Sequence, residues 1–280
     1  MDINFITLLD IIKKGKKYFL IVFLVTFVLS AVISFLLPVY YASTTVLFPL
    51  NPKSYDPRSK FSSNMEIYGT VEDVNRTIAL AESGIIRDHI KEKYNLAKHY
   101  DIDPSDIKNA GLLEKEYSAN LEVKETNKGA IKIIFYDKNA DTAAAIVNEI
   151  VSTINTINKK VIEDAIVKQY ATYQKVLVEK YSGLDSLDKI LSGMRAVDKN
   201  DPNREVNSME MFHAYTRMKE TEMSLQSIRD DAQTLLVIEK AVPNWKKEKP
   251  KRMIIVALAC AGTFIMTLFF LLYREEKVNN

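Results

Sequence analysis

Two stretches of this chain carry no charge: Tyr18–Tyr41 (YFLIVFLVTFVLSAVISFLLPVYY) and Met253–Tyr273 (MIIVALACAGTFIMTLFFLLY). An apolar run of about 18 or more residues without charge is long enough to cross a bilayer as a helix. These runs divide the chain into a 1–17 lead, a first span at 18–41, a polar domain at 42–252, a second span at 253–273 and a tail at 274–280. Only seven residues follow the second span, so no domain is expected beyond it.

The first run could be read as a secretory signal, because Lys13, Lys14, Lys16 and Lys17 resemble its basic start. Its apolar stretch is too long for that, and Tyr40-Tyr41-Ala42 is a poor cleavage site, so a retained anchor is expected. The same lysines favour a cytoplasmic amino terminus, which places 42–252 outside and returns 274–280 to the cytoplasm. Lys246, Lys247, Lys249, Lys251 and Arg252 then fall on the outer side of the second span. Long domains translocate largely regardless of such charges, and the plain reading of the five is snorkelling against lipid phosphates.

A net charge of +2 with 26% charged residues describes neither a nucleic-acid binder nor an acidic tail protein. The single cysteine, Cys260, lies within the second span and excludes an intramolecular disulfide; it reads as a small packing residue between helices.

Taken in order, 1–17 is a short amphipathic segment with Phe5, Leu8, Leu9 and Ile12 at helical spacing, suited to the inner membrane surface. Tyr41–Leu50 reads as a strand emerging from the first span, and 51–64 as a loop. Thr70–Leu96 reads as two helical pieces divided near Ser83-Gly84, with Ser83 as a cap and Ile85, Ile86, His89 and Ile90 on one face. Ser118–Glu125 and Ala130–Asp137 alternate as paired strands around Asn127-Lys128-Gly129. From Asn139 the period becomes helical and runs on to about 200, with Asn139 or Asp141 as the cap. A second helix at about 204–232 carries Met211, Met218 and Leu225 seven apart, interleaved with Ala214, Thr221 and Ile228, a three-four seam that predicts an antiparallel hairpin. Thr234–Val242 reads as a strand returning to the membrane.

The fold class expected is α+β: two transmembrane helices flanking an extracytoplasmic domain with a membrane-proximal mixed sheet and a long protruding helical hairpin. A slender hairpin buries little of its own surface, so packing against further copies is expected. Candidate membrane-entry residues are Pro38, Pro243, Pro250, Lys251 and Arg252; candidate seam residues are Met211, Met218, Leu225 and Ile228.

Four segments, in this order, resemble the Wzz-type chain-length determinants, the polysaccharide co-polymerases of bacterial inner membranes. They are FITLLDIIKKGKKYFLIVFLV…LLPVYYASTTVLF, AESGIIRDHIKEKYNL, AIKIIFYDKNADTAAAIVNEIV and VIEKAVPNWKKEKPKRMIIVAL. The entry to the second span departs from the family pattern in having only Pro243 and Pro250, and the glycines of that span are reduced to Gly262. The resemblance implies an inner-membrane protein with two spans and a periplasmic domain assembled as a ring or bell. It also implies control of O-antigen, capsular or exopolysaccharide length together with a Wzy-type polymerase and a lipid-linked glycan.

Chemistry for an enzyme is not expected. The sequence has no GxxxxGK[ST] loop and no GxSxG elbow. His89, His99 and His213 lack helical metal spacing, and no cofactor is implied. Pairs such as Glu114/Glu116 and Asp230/Asp231 are ordinary solvated carboxylates, and Met209, Met211, Met218 and Met223 read as helix packing. The leading expectation is a non-enzymatic scaffold that sets glycan length. An adaptor for a separate cytoplasmic tyrosine kinase in capsule export is the alternative, and a sensing receptor ectodomain ranks behind it.

Overall fold

The computed structural model describes residues 5–51, 67–103, 107–180, 204–231 and 233–279. Helices and strands follow as α1 (Phe5–Leu36), β1 (Tyr40–Pro49), α2 (Val71–Ala81), α3 (Gly84–Lys93), α4 (Leu96–His99) and α5 (Ile107–Asn120). Then come β2 (Leu121–Glu125), β3 (Ile131–Asp137), α6 (Ala140–Lys180), α7 (Arg204–Asp231), β4 (Leu235–Glu239), β5 (Lys247–Lys249) and α8 (Arg252–Asn279). The chain forms two compact units. One comprises Met1–Ala42, Tyr136–Ala143 and Pro243–Asn280; the other comprises Ser43–Phe135 and Ala144–Val242.

The strands are ordered β2-β3-β1-β4, with β5 also pairing β1. The pairings β2–β3, β1–β4 and β1–β5 are antiparallel. Strand β1 buries alternate residues, Ser43, Thr45, Leu47 and Pro49, as a strand with one face on a core must. Two of those four are polar, and each hydroxyl has an acceptor. Ser43 Oγ donates to the Val242 carbonyl at 2.9 Å, and Thr45 Oγ1 to the Glu239 carbonyl at 2.6 Å. Asn148 on α6 donates to the Ala241 carbonyl at 2.9 Å. These side chains satisfy carbonyls where β4 and the residues after it run out of regular partners.

The core of the second unit is built from Leu47, Ile131, Ile133 and Phe135 of the sheet, Ile86 and Ile90 of α3, and Ile146, Ile150 and Ile154 of α6. All are fully buried. At about 1.5–3 kcal/mol for each large apolar side chain, this cluster is the main stabilising term of the unit. Helix α6 supplies fully buried residues only as far as Ile154; the rest of its described length is at most half-buried. At 41 residues it extends about 60 Å at 1.5 Å per residue.

Caps fix the helix starts. Thr70 and Asp73 form a reciprocal capping box at α2, and Ser83 accepts from the Ile86 amide at α3. Asn139 Oδ1 accepts from the Asp141 amide at 2.8 Å and so caps α6, which decides between the two residues the sequence offers.

The structure redraws several boundaries. The apolar run 18–41 is not one helix: α1 stops at Leu36, because Pro38 lacks an amide hydrogen and disfavours helical geometry in its neighbour, and Tyr40 and Tyr41 already belong to β1. The 1–17 lead is not a separate piece from Phe5 onward but the start of the same helix. Ser118, Ala119 and Asn120 end α5 instead of opening β2; the run of strong helix formers Leu112-Leu113-Glu114-Lys115-Glu116 carries the helix up to the strand. On α3 the buried face is Ile86 and Ile90, whereas Ile85 is 68% exposed. His89 lies outside that face and bonds Glu149 on α6 at 2.8 Å. The expected continuation of α6 over 181–200 lies outside the described residues.

Glu149 also receives Lys93 Nζ at 2.6 Å. Burial of Glu149 opposes ionisation, but the bonds from His89 and Lys93 outweigh it and hold the carboxyl below its ordinary value of 4.5. The bond to Glu149 raises Lys93 above its ordinary 10.5. A depressed carboxyl stabilises the fold above its unfolded pKa and ceases to do so as pH falls through the folded value. Glu149→Gln is therefore expected to lower the melting temperature of the full-length protein in mild detergent at pH 7. The deficit should close as pH falls below 4.5 through the folded pKa; an equal deficit at all pH values would contradict the pairing.

The β2–β3 turn needs its glycine. Gly129 has φ +74°, and no atom lies within 4 Å of the place a Cβ would take, so alanine there suffers only backbone strain. Gly111 in α5 has equally open surroundings and no such backbone. Thermal unfolding of the full chain should show Gly129→Ala destabilised by about 1–2 kcal/mol and Gly111→Ala stabilised by about 0.5–1 kcal/mol.

Candidate functional site: a helix pair, a basic entry segment and a helical groove

In the first unit, α1 and α8 pack antiparallel. Gly15 near the start of α1 meets Leu271 near the end of α8, where a Cβ on residue 15 would overlap Leu271 Cδ1. Phe19 faces Phe264 with ring centroids 5.0 Å apart. At the opposite end, the Arg252 guanidinium lies 4.5 Å from the Phe35 ring centroid. The buried residues of the two helices include Gly15, Ser30, Ser34, Cys260, Thr267 and Leu271, a mostly small set that lets helices approach closely. Ser30 Oγ donates to the Phe27 carbonyl and Thr267 Oγ1 to the Thr263 carbonyl, at 3.1 and 2.7 Å. Their hydroxyls therefore need nothing from solvent.

Between Tyr18 and Leu36 of α1, and between Met253 and Tyr273 of α8, the outer surface carries no charge. Leu20, Phe35, Leu36, Met253 and Met266 are 67–88% exposed. The stretches Gly15–Leu36 and Arg252–Arg274 are long and apolar enough to cross a membrane. A continuous apolar surface of this size needs a hydrocarbon or protein environment to cover it.

Four of the predicted entry residues, Pro38, Pro250, Lys251 and Arg252, flank the end of α1 and the start of α8. Pro38 lies between α1 and β1. Pro250 follows β5 across a cis peptide bond from Lys249, and Lys251 precedes α8, its carbonyl accepting from the Ile254 amide at 2.9 Å. Arg252 is the first residue of α8. Pro243 is exposed in the segment between β4 and β5. Three contacts that periodicity does not show complete the segment. Tyr40 and Tyr41 pair with Lys249 and Lys247, Tyr41 meets Trp245 edge-on at 5.4 Å, and Lys249 Nζ sits 3.5 Å above the centre of the Tyr136 ring.

In the second unit, α6 and α7 face one another across a groove of about 550 Å3. Ile157, Val161, Ile162, Ala165 and Ile166 of α6 form its apolar wall. Opposite lie Arg217, Glu220, Thr221 and Ser224 of α7, and Asp73, Arg76, Thr77 and Leu80 of α2 contribute a third side. The helices run antiparallel: Lys219 of α7 lies in the field of Tyr170, whereas Thr234 beyond α7 donates its amide to Asn155 Oδ1 at 2.7 Å. The buried stripe of α7 passes through Thr221, Ser224 and Ile228, with Met218 and Leu225 half-buried beside it; the side chain of Met211 lies outside the described residues. Thr221 and Ser224 satisfy their hydroxyls on carbonyls one turn back, at 2.7 and 2.9 Å, so their aliphatic parts are free to pack. A seven-residue count finds Ile228 but not Ser224, because it ranks residues by hydrophobicity and a self-satisfied serine packs as a small apolar group.

These features define an α+β protein with an apolar helix at each end of the described chain. Residues 1–93 match the family model of Wzz, chain length determinant protein. That match ends with the last residue of α3 and takes in α1, β1, α2 and the capped start of α3. No curated protein matches the chain significantly. Similar solved structures include a full-length bacterial polysaccharide co-polymerase, 14% identical, covering 99% of both chains with a TM-score of 0.44. A fragment of WzzB, the polysaccharide co-polymerase from Salmonella Typhimurium, is 13% identical and covers 75% of this chain and 100% of its own, with a TM-score of 0.36. A Wzz dodecamer fitted to a cryo-EM map is 10% identical with the same coverages and a TM-score of 0.27.

The helix pair makes a direct prediction. With Cys260 replaced by alanine, Phe19→Cys and Phe264→Cys together should cross-link within one chain in membranes, read as a mobility shift reversed by reductant. Phe19→Cys with Ile254→Cys should not. Gly15→Leu should reduce that cross-link at least about threefold, because larger residues at close helix crossings force the backbones apart. Gly15→Ala should leave it largely intact, since the Leu271 side chain can rotate away.

Proposed function

We propose that this protein is a non-enzymatic regulator of polysaccharide chain length in a bacterial inner membrane, with two spans and the bulk of the chain in the periplasm. The observation that carries the reading is the match of residues 1–93 to the Wzz chain length determinant family. It covers a structurally coherent piece: an apolar helix, the strand that follows it and two capped helices. The protein acts as an oligomeric scaffold, holding a separate Wzy-type polymerase and its lipid-linked O-antigen, capsular or exopolysaccharide together so that binding and release set the length. The groove between α6 and α7, apolar on one wall and charged at its rim, supports a role in association over one in bond-making.

The test is the size distribution of surface glycan on a gel. Deletion of the gene should leave glycan synthesis running while its preferred length is lost, and a plasmid copy should restore that length. A ladder unchanged by deletion, in a strain without a second such gene, would overturn the reading.

A further inference from the structure

We propose that the entry to α8 is a binding site for the headgroup of an anionic phospholipid from the membrane that α8 crosses. The proposal rests on α8 spanning a bilayer and not on the chain-length reading.

A cleft of about 390 Å3 opens at the start of α8, within the size range of small-ligand sites, about 300–1,000 Å3. Its lining divides by chemistry. Lys247, Lys249, Lys251 and Arg252 supply four cationic side chains, and Val39, Pro250, Met253 and Ile254 supply the rest. No carboxylate lines it among the described residues. Glu248, between two of these lysines, is absent from the lining because successive residues of a strand point to opposite faces. Two of the cations are held in place: Lys249 over the Tyr136 ring and Arg252 over the Phe35 ring. A cation over an aromatic face keeps its charge.

The cleft also lies at the depth where a headgroup would be. Met253 and Ile254 are the first residues of the apolar span and are 88% and 51% exposed, so the apolar side of the cleft continues into the surface facing acyl chains. Tyr41 and Trp245 pack edge-on beside it, and Trp245 is 60% exposed. Tyrosine and tryptophan gather at the membrane–water boundary. A phosphodiester would meet the four cations while its acyl chains run along Met253 and Ile254. This differs from snorkelling, in which each lysine reaches bulk headgroups independently: here four basic residues border one open cleft whose floor is apolar.

The experiment uses the full chain in nanodiscs, either of phosphatidylcholine alone or of an equimolar mixture with phosphatidylglycerol. Native mass spectrometry reads retained lipid and thermal unfolding reads stabilisation. Wild type should retain phosphatidylglycerol and melt higher in the mixed discs. Lys247→Gln with Lys251→Gln should weaken retention by at least about tenfold, following the usual effect of removing basic residues at an anionic surface. Lys240→Gln with Lys246→Gln removes the same charge from residues that do not line the cleft and should change retention little. Melting in pure phosphatidylcholine, expected to be the same for all three proteins, verifies that the variants fold. Equal retention of the two lipids by wild type, or equal weakening by both double variants, would overturn the proposal. So would equally strong stabilisation by inorganic phosphate, since that would make the acyl contacts irrelevant. None of these results depends on glycan length.

Discussion

Everything in this structure is conditioned by two helices whose outer surfaces have no use for water. Burying that surface is worth far more than any surface ion pair in the molecule, because apolar burial scales with area while exposed ion pairs contribute about 0–1 kcal/mol each. The inner surfaces of α1 and α8 are different: small or self-satisfied residues that allow the close approach of Gly15 to Leu271. Outside contacts demand a hydrocarbon or protein cover, inside contacts demand the partner helix, and the contacts between them run antiparallel.

The second unit is held by ordinary means. Its core is an aliphatic cluster from sheet, α3 and the first turns of α6. Three polar residues beside it have partners, Ser43 and Thr45 on the carbonyls of Val242 and Glu239 and Asn148 on that of Ala241, whereas the buried Tyr117 hydroxyl has none. Beyond Ile154 the described side chains of the long helix are at most half-buried, and several face α2 and α7 across the groove. That part of α6 gains least from burial within one chain, which is the physical basis for expecting it to pack against further copies.

Much of this is legible in the residues. The two apolar runs, the Thr70–Leu96 helices with the Ser83 cap, the turn at Gly129 and the long helix from Asn139 all follow from period, capping and turn chemistry. Boundaries are harder. Hydrophobicity cannot distinguish the last helical residue of a span from the first strand residue after it, so Tyr40 and Tyr41 read as membrane although Pro38 has already ended the helix. Helix α5 and strand β5 escape a reading by pattern, since each is polar enough to pass for connecting chain. Of the entry residues, Pro250, Lys251 and Arg252 line one cleft together with Lys247 and Lys249, whose place depends on β5 pairing with β1, a contact with no local signal. In the groove, likewise, Thr221 and Ser224 escape a hydrophobicity count because their hydroxyls bond their own helix.

The most direct test of the account is the topology of the chain. A reporter enzyme that is active only outside the cytoplasm should be active when inserted at Asn200 and inactive when fused after Asn279. Activity in the reverse pattern, or activity at both positions, would contradict an account in which both apolar helices cross the membrane and hold the domain between them on its outer side.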